Sequence, residues 1–184
     1  MTESMMNTDM GFRELGMNDR DAYYALRLLG LEPRPQAFAT SAEEWRAASA
    51  DKIDALLRLS EKDTEPILGA FTSNCELVGS VCLIPETKQS VRHKASLAAL
   101  FVHPSWQHRG IGMQLVNETL QRARQIPELL LVRLVVDSEN SEAIRLFEKA
   151  GFFNYGREPQ ARRVLEHFHD QSYMLCFLHD DERG

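Results

Sequence analysis

Only three of the 184 residues are cysteine, and Cys75, Cys82 and Cys176 form no C-x-x-C pair. An odd number at such spacings builds neither a disulfide framework nor a zinc knuckle, so a reducing cytoplasm suits the chain and the cysteines read as small buried apolar residues. Basic residues are outnumbered by acidic ones, 21 to 27, for a formal charge of −6. Such a chain lacks the broad basic face that nucleic acid demands, and any anion site must be local. No apolar run is long enough to cross a bilayer, the longest being residues 97–102. The opening residues lack the basic and apolar regions of a secretory leader. Neither nucleic acid nor membrane is expected as a partner.

What is present is an ordinary globular composition, 43% hydrophobic and 26% charged, enough for one core. We expect a loose polar lead-in over residues 1–10 and a single domain over 11–184. Residues 12–15 suit a short strand. Asn18 or Asp19 can then cap a helix whose apolar face holds Ala22, Tyr23, Leu26 and Leu29, with Gly30 closing it. Ser41 and Glu44 have capping-box spacing ahead of an amphipathic helix over residues 41–60. Residues from 67 to 84 read as a hairpin turning at Ser73 and Asn74, followed by a strand over 91–102. "LLLVRLVV", residues 129–136, is apolar almost throughout and suits a strand covered on both faces. Between these two strands Ile111, Leu115, Val116, Leu120 and Ala123 recur at helical spacing, which makes a right-handed β-α-β unit. Asn140 caps a further helix carrying Ala143, Ile144, Phe147 and Ala150 on one stripe, and Gly151 stops it. Strands over 152–158 and 173–178 finish the chain.

The chemistry concentrates in "QHRGIG", residues 107–112, where strand hands over to helix. A helix N-terminus leaves its first N–H groups unpaired and carries about half a positive charge, so it seats phosphate oxygens. Gly110 and Gly112 let the backbone approach, and His108 and Arg109 can add charge-assisted contacts. Two glycines alone would equally serve a plain turn. A dinucleotide fingerprint needs a third glycine where Leu115 stands, and a P-loop needs G-K-[ST], so neither common phosphate loop is present.

"VHPSWQHRGIG" and its helix resemble the acyl-CoA-binding signature of the GNAT acyltransferase superfamily, Q/R-x-x-G-x-G/A. "VDSENSEAIRLFEKAGF" is similar to a second element of that family, N-x-x-A-x-x-x-Y-x-x-x-G-F, and the two ends of the chain resemble a bacterial subgroup of generic N-acetyltransferases. The resemblance covers residues 11–179. It implies an α/β fold with a mixed, largely antiparallel seven-stranded sheet, a central parallel pair formed by the fourth and fifth strands, and about four helices. It implies acetyl-CoA as acyl donor and a primary amine of a small molecule or protein as acceptor, joined by direct attack in a ternary complex. Homodimers are common in such folds.

Carried over residue by residue, Leu100, Phe101 and Val102 would pair with the pantetheine arm, with an amide near Leu100 facing the thioester oxygen. Gln107, His108, Arg109, Gly110, Ile111 and Gly112 would form the pyrophosphate loop, and Asn140, Ala143 and Phe147 would line the channel. Tyr24, Arg27 and Phe38 are carried as candidates for the acceptor pocket. Two departures stand out: Phe147 replaces the family's usual tyrosine acid, and Ala98 and Ala99 stand where a carboxylate base often lies. Tyr155 is the substitute candidate for proton transfer, with Tyr173 as the alternative. The rival reading is a non-catalytic acyl-CoA-binding or regulatory module. The histidines at 93, 103, 167, 169 and 179 read as solvated, and no metal is expected.

Overall fold

The computed structural model describes residues 10–33, 35–38 and 40–179; residues 1–9 of the expected lead-in lie outside them. Seven strands form one sheet: β1 (Gly11–Glu14), β2 (Ile67–Phe71), β3 (Leu77–Pro85), β4 (Lys94–Val102), β5 (Leu131–Asp137), β6 (Phe153–Val164) and β7 (His167–Phe177). Their spatial order is β1-β2-β3-β4-β5-β7-β6, antiparallel at every step except the parallel β4/β5 pair. Five α-helices accompany it among the described residues: α1 (Arg20–Leu31), α2 (Ala42–Arg46), α3 (Ala50–Glu61), α4 (Ile111–Ala123) and α5 (Ser141–Lys149). No helix among the described residues is long and apolar enough to cross a membrane.

The fifth helix arises because the span expected as one helix is two. Ser41 and Glu44 do form the reciprocal capping box, but α2 ends after Arg46 and Ser49 caps α3 anew by accepting from Lys52 N. A serine oxygen competing for a main-chain donor favours a helix start over a helix interior. In α1 the buried face is Tyr23, Leu26, Arg27, Gly30 and Leu31, while Ala22 is exposed. Gly30 stands one residue before the end of that helix, and a Cβ there would sit 2.8 Å from the Phe101 ring.

Two apolar layers flank the sheet. On one side α4 and α5 cover Leu68, Val78, Val81, Leu97, Leu134 and Val136; on the other α1 and α3 cover Ile67, Phe71 and Leu77, with Cys82 and Phe101 at the margin. The second layer does not reach across the sheet. On that face of β5 Val135 is 45% exposed, so the strand expected to be covered on both faces is covered on one along part of its length. Its long antiparallel partner is β7, over all seven residues. The segment between residues 159 and 171 extends β6 and β7 into one hairpin, turning at Leu165 and Glu166. Cys75 also departs from expectation: it is exposed in the β2–β3 turn at φ 62°.

Candidate functional site

The site begins where β4 and β5 stop pairing. Their ladder holds only Lys94 with Leu131, Ala95 with Val132 and Ser96 with Arg133. Beyond Ser96, β4 stays paired to β3 as far as Val102 but turns its other edge to an open wedge. A bulge accompanies the divergence: Ser80 pairs with Phe101 and Cys82 with Ala98, which leaves Val81 alone opposite Ala99 and Leu100. Ala99 adopts φ 59°, a left-handed conformation that costs an L residue roughly 1–2 kcal/mol. Such an insertion bends the strand and leaves main-chain groups without a ladder partner.

The wedge opens into a cavity of about 520 Å³. Leu97 to Val102 of β4 and Leu134 to Asp137 of β5 form its walls, and Asn140, Ala143, Leu146 and Phe147 of α5 close one side. Gly30 of α1 and Ala37 and Phe38 beyond it close the other. Of the glycine loop, Gln107, His108, Gly110, Ile111 and Gly112 line it, while Arg109 is held aside with its guanidinium carbon 4.7 Å from the Trp106 ring centre.

Gly110 is the N-cap of α4 at φ 80°, and no side chain caps the helix. The first-turn N–H groups are therefore left for a ligand, at the positive end of the helix dipole. A Cβ on Gly110 would meet nothing within 4 Å, so it would stand in open space. Gly112 lines the cavity and has a packing role as well. A Cβ there would lie 3.2 Å from Leu146 Cδ1, so this glycine lets α4 approach α5. Ile111 is buried in the core as expected. The Gln107 amide donates to the Val102 carbonyl at 2.9 Å, and His108 Nδ1 lies 3.6 Å from Glu142. Asn140 accepts from Ala143 N at 3.2 Å and also lines the cavity, so capping and contact are compatible. The Phe147 ring is buried and meets Phe152 edge-on at 5.8 Å.

The other candidates separate. Tyr24 stacks on Trp45 at 6.0 Å and its carbonyl accepts from the indole N–H, a scaffold role. Phe38 lines the cavity, and Arg27 lies buried against it, 4.6 Å from guanidinium carbon to ring centre. Tyr155 is 51% exposed and outside the cavity lining, edge-on to Tyr173 at 6.1 Å. The Tyr173 hydroxyl donates to Glu158, and that bond raises the tyrosine pKa.

One residue escaped the sequence reading. Asp137, at the end of β5, is buried and lines the cavity; its Oδ1 accepts from Glu139 N at 2.8 Å and its Oδ2 lies 3.5 Å from His169 Nδ1. The strand alternation in "LVRLVVD" sets Val135 and Asp137 on the face opposite Val136, a signal that could have found it. His169 is consequently not a solvated histidine, its side chain being 19% exposed. Ligand atoms of Asp137, Glu139 and His169 lie within 4.8 Å of one another. Arg162 borders the same corner: burial lowers its pKa and Asp137 opposes that shift. A fixed positive charge there disfavours a cation.

A wedge between two parallel strands, flanked by a glycine-capped helix N-terminus, defines a class of acyltransferase fold, and comparison with known proteins agrees. The family model described as Acetyltransferase (GNAT) family matches residues 27–152, more than half the sequence. The chain belongs to the GNAT acetyltransferase family. Its structure is similar to a GNAT-family acetyltransferase from Streptococcus pneumoniae, with 22% identity, TM-score 0.81, and 92% of this chain and 99% of that one covered. It is also similar to YncA from Salmonella typhimurium, solved with its cofactor acetyl-CoA, at 20% identity and TM-score 0.80 over 94% and 96% of the chains. A ribosomal-protein-alanine N-acetyltransferase from Brucella melitensis matches at 20% identity and TM-score 0.77, covering 91% and 99%. At these identities the likeness is one of fold. No curated protein sequence matches the chain.

Proposed function

We propose that the protein transfers an acetyl group from acetyl-CoA to a primary amine of a small molecule or protein, by direct attack in a ternary complex. The observation that supports this most is the opening of the β4/β5 pair after three residues, directly beside the uncapped N-terminus of α4. The cavity residues fit such a donor: an anion seat at Gly110 to Met113, a strand edge beyond the β4/β5 ladder at Leu97 to Phe101, and apolar walls at Ala143, Leu146 and Phe147. When bound, acetyl-CoA supplies an activated thioester.

The chain's own groups then have three tasks. First-turn N–H groups of α4 hold the diphosphate. The unpaired edge of β4, with the amide near Leu100, orients the arm and faces the carbonyl oxygen where negative charge develops. The acceptor nitrogen must lose a proton before attack, since an alkylammonium titrates near pH 10.4. Asp137, a buried carboxylate on the cavity wall, takes that proton. Tyr155, in ring contact with Tyr173, lies outside the cavity lining, so the departing thiolate takes its proton from solvent. Cys75, Cys82 and Cys176 take no part in this direct transfer and suit a reducing cytoplasm. No metal ion is needed. A homodimer formed through the exposed β6–β7 hairpin is compatible with the reading.

The rival reading, a non-catalytic acyl-CoA-binding module, is favoured by one observation: Phe147 is an apolar wall where the family often has an acid. Thiol release from acetyl-CoA with an amine panel decides between them. Turnover of any amine, reduced at least tenfold by Asp137→Asn, supports the transferase. Coenzyme A binding without turnover supports the module.

A further inference from the structure

Arg27 is only 8% exposed, yet among the described residues its Nη1 is buried with no hydrogen-bond partner. Among the described residues no carboxylate pairs with it. The titratable groups whose charge it feels are Tyr23 and Cys82, and burial pushes each up to about 12, so both are neutral at pH 7. Burial lowers the pKa of Arg27 itself, but a guanidinium stays protonated in proteins. The fold therefore holds an uncompensated cation inside, an arrangement that is costly unless something negative arrives.

Its position says where that partner would come from. The guanidinium lies against one face of Phe38, and Phe38 lines the cavity. Cys82 pairs in register with Ala98, which also lines the cavity. Ala98 and Phe101 of β4 and Val135 and Asp137 of β5 share the sheet face turned toward α1, the face that the second apolar layer leaves uncovered beyond β4. The cavity lining thus includes Phe38, with a buried cation behind it, and the buried carboxylate of Asp137.

We infer, on the reading of the chain as an amine acetyltransferase, that the acceptor is a small zwitterion of the amino-acid type, its carboxylate received by Arg27 and its amino group presented toward Asp137. A change of Phe38 rotamer that moves the ring off the guanidinium would give the carboxylate access to it. Binding replaces a one-sided cation–π contact with a charge-assisted hydrogen bond, the stronger interaction in a buried setting. Such a site selects against amines without an anionic group, because they leave its charge unpaired.

The test is thiol release from acetyl-CoA with free L-amino acids, the matching amino-acid amides and the matching decarboxylated amines, for the wild type and for Arg27→Met and Arg27→Lys. The expected result is a kcat/KM at least about tenfold higher for a free acid than for its amide or decarboxylated partner. In Arg27→Met that ratio collapses toward one, chiefly through KM, and in Arg27→Lys it is partly retained. The melting-temperature rise given by coenzyme A reports that each variant is folded. Because Met removes an unpaired buried charge, Arg27→Met melts no lower than the wild type without substrate. Turnover of amines with no preference for the acid, or a preference that survives in Arg27→Met, overturns this inference and leaves the acetyltransferase reading standing. Thiol release from none of the amines overturns that reading and the inference with it.

Discussion

Replacing Gly110 by valine separates ligand binding from folding in one substitution. The residue sits at φ 80° with ψ −1°, and a Cβ there touches nothing within 4 Å. Steric collision is thus absent in the folded protein, and the cost is the left-handed backbone, roughly 1–2 kcal/mol for an L residue. A domain of this size loses about 2–4 °C per kcal/mol, so the unliganded melting temperature falls by about 2–8 °C and the protein stays folded. The branched side chain, however, stands where the first-turn N–H groups of α4 meet their ligand. Wild-type protein in a hundredfold excess of coenzyme A over its Kd gains about 2.7 kcal/mol, a rise of about 5–11 °C. In Gly110→Val that rise disappears. Differential scanning fluorimetry with and without coenzyme A reads both quantities. A variant that melts lower but keeps the full ligand-induced rise would refute the assignment of the α4 N-terminus as the anion seat.

Two further substitutions probe the supporting structure. Asn140→Ala removes the bond from Asn140 Oδ1 to Ala143 N; loss of such a cap costs about 1 kcal/mol, or about 2–4 °C. If Asn140 also contacts the donor, coenzyme A affinity by calorimetry falls as well, whereas unchanged affinity restricts it to capping. Asp19 carries a pH signature. Two hydrogen bonds of 2.7 Å from Arg13, with one from Gly16 N, hold its carboxyl below the usual range. A depressed folded pKa contributes stability above the unfolded value of about 3.9, and that contribution is lost as pH falls through the folded value. Asp19→Asn therefore melts below the wild type at pH 7, and the gap narrows below about pH 4. A gap independent of pH would show that the carboxylate's charge is not what stabilises the β1–α1 corner.

The sequence by itself determined most of the elements and the glycine at which α4 starts, because both rest on local physics. Helical spacing from Ile111 to Ala123, the capping chemistry of Ser41 and Asn140, and the glycine at the start of α4 each act within a few residues. Even the family's second motif is one helix with its cap. Tertiary structure alone decided what the cavity contains. Only the fold shows that Gly112 also lets Leu146 of α5 come within 3.2 Å of its missing Cβ, and that Phe101 is set against Gly30. Asp137 and Arg27 lie 110 positions apart in the chain, and no periodicity announces that one edges the same cavity behind which the other is buried. Burial and charge compensation depend on which groups fold against which, so an unpaired guanidinium becomes visible only when every neighbour that might have answered it is in place.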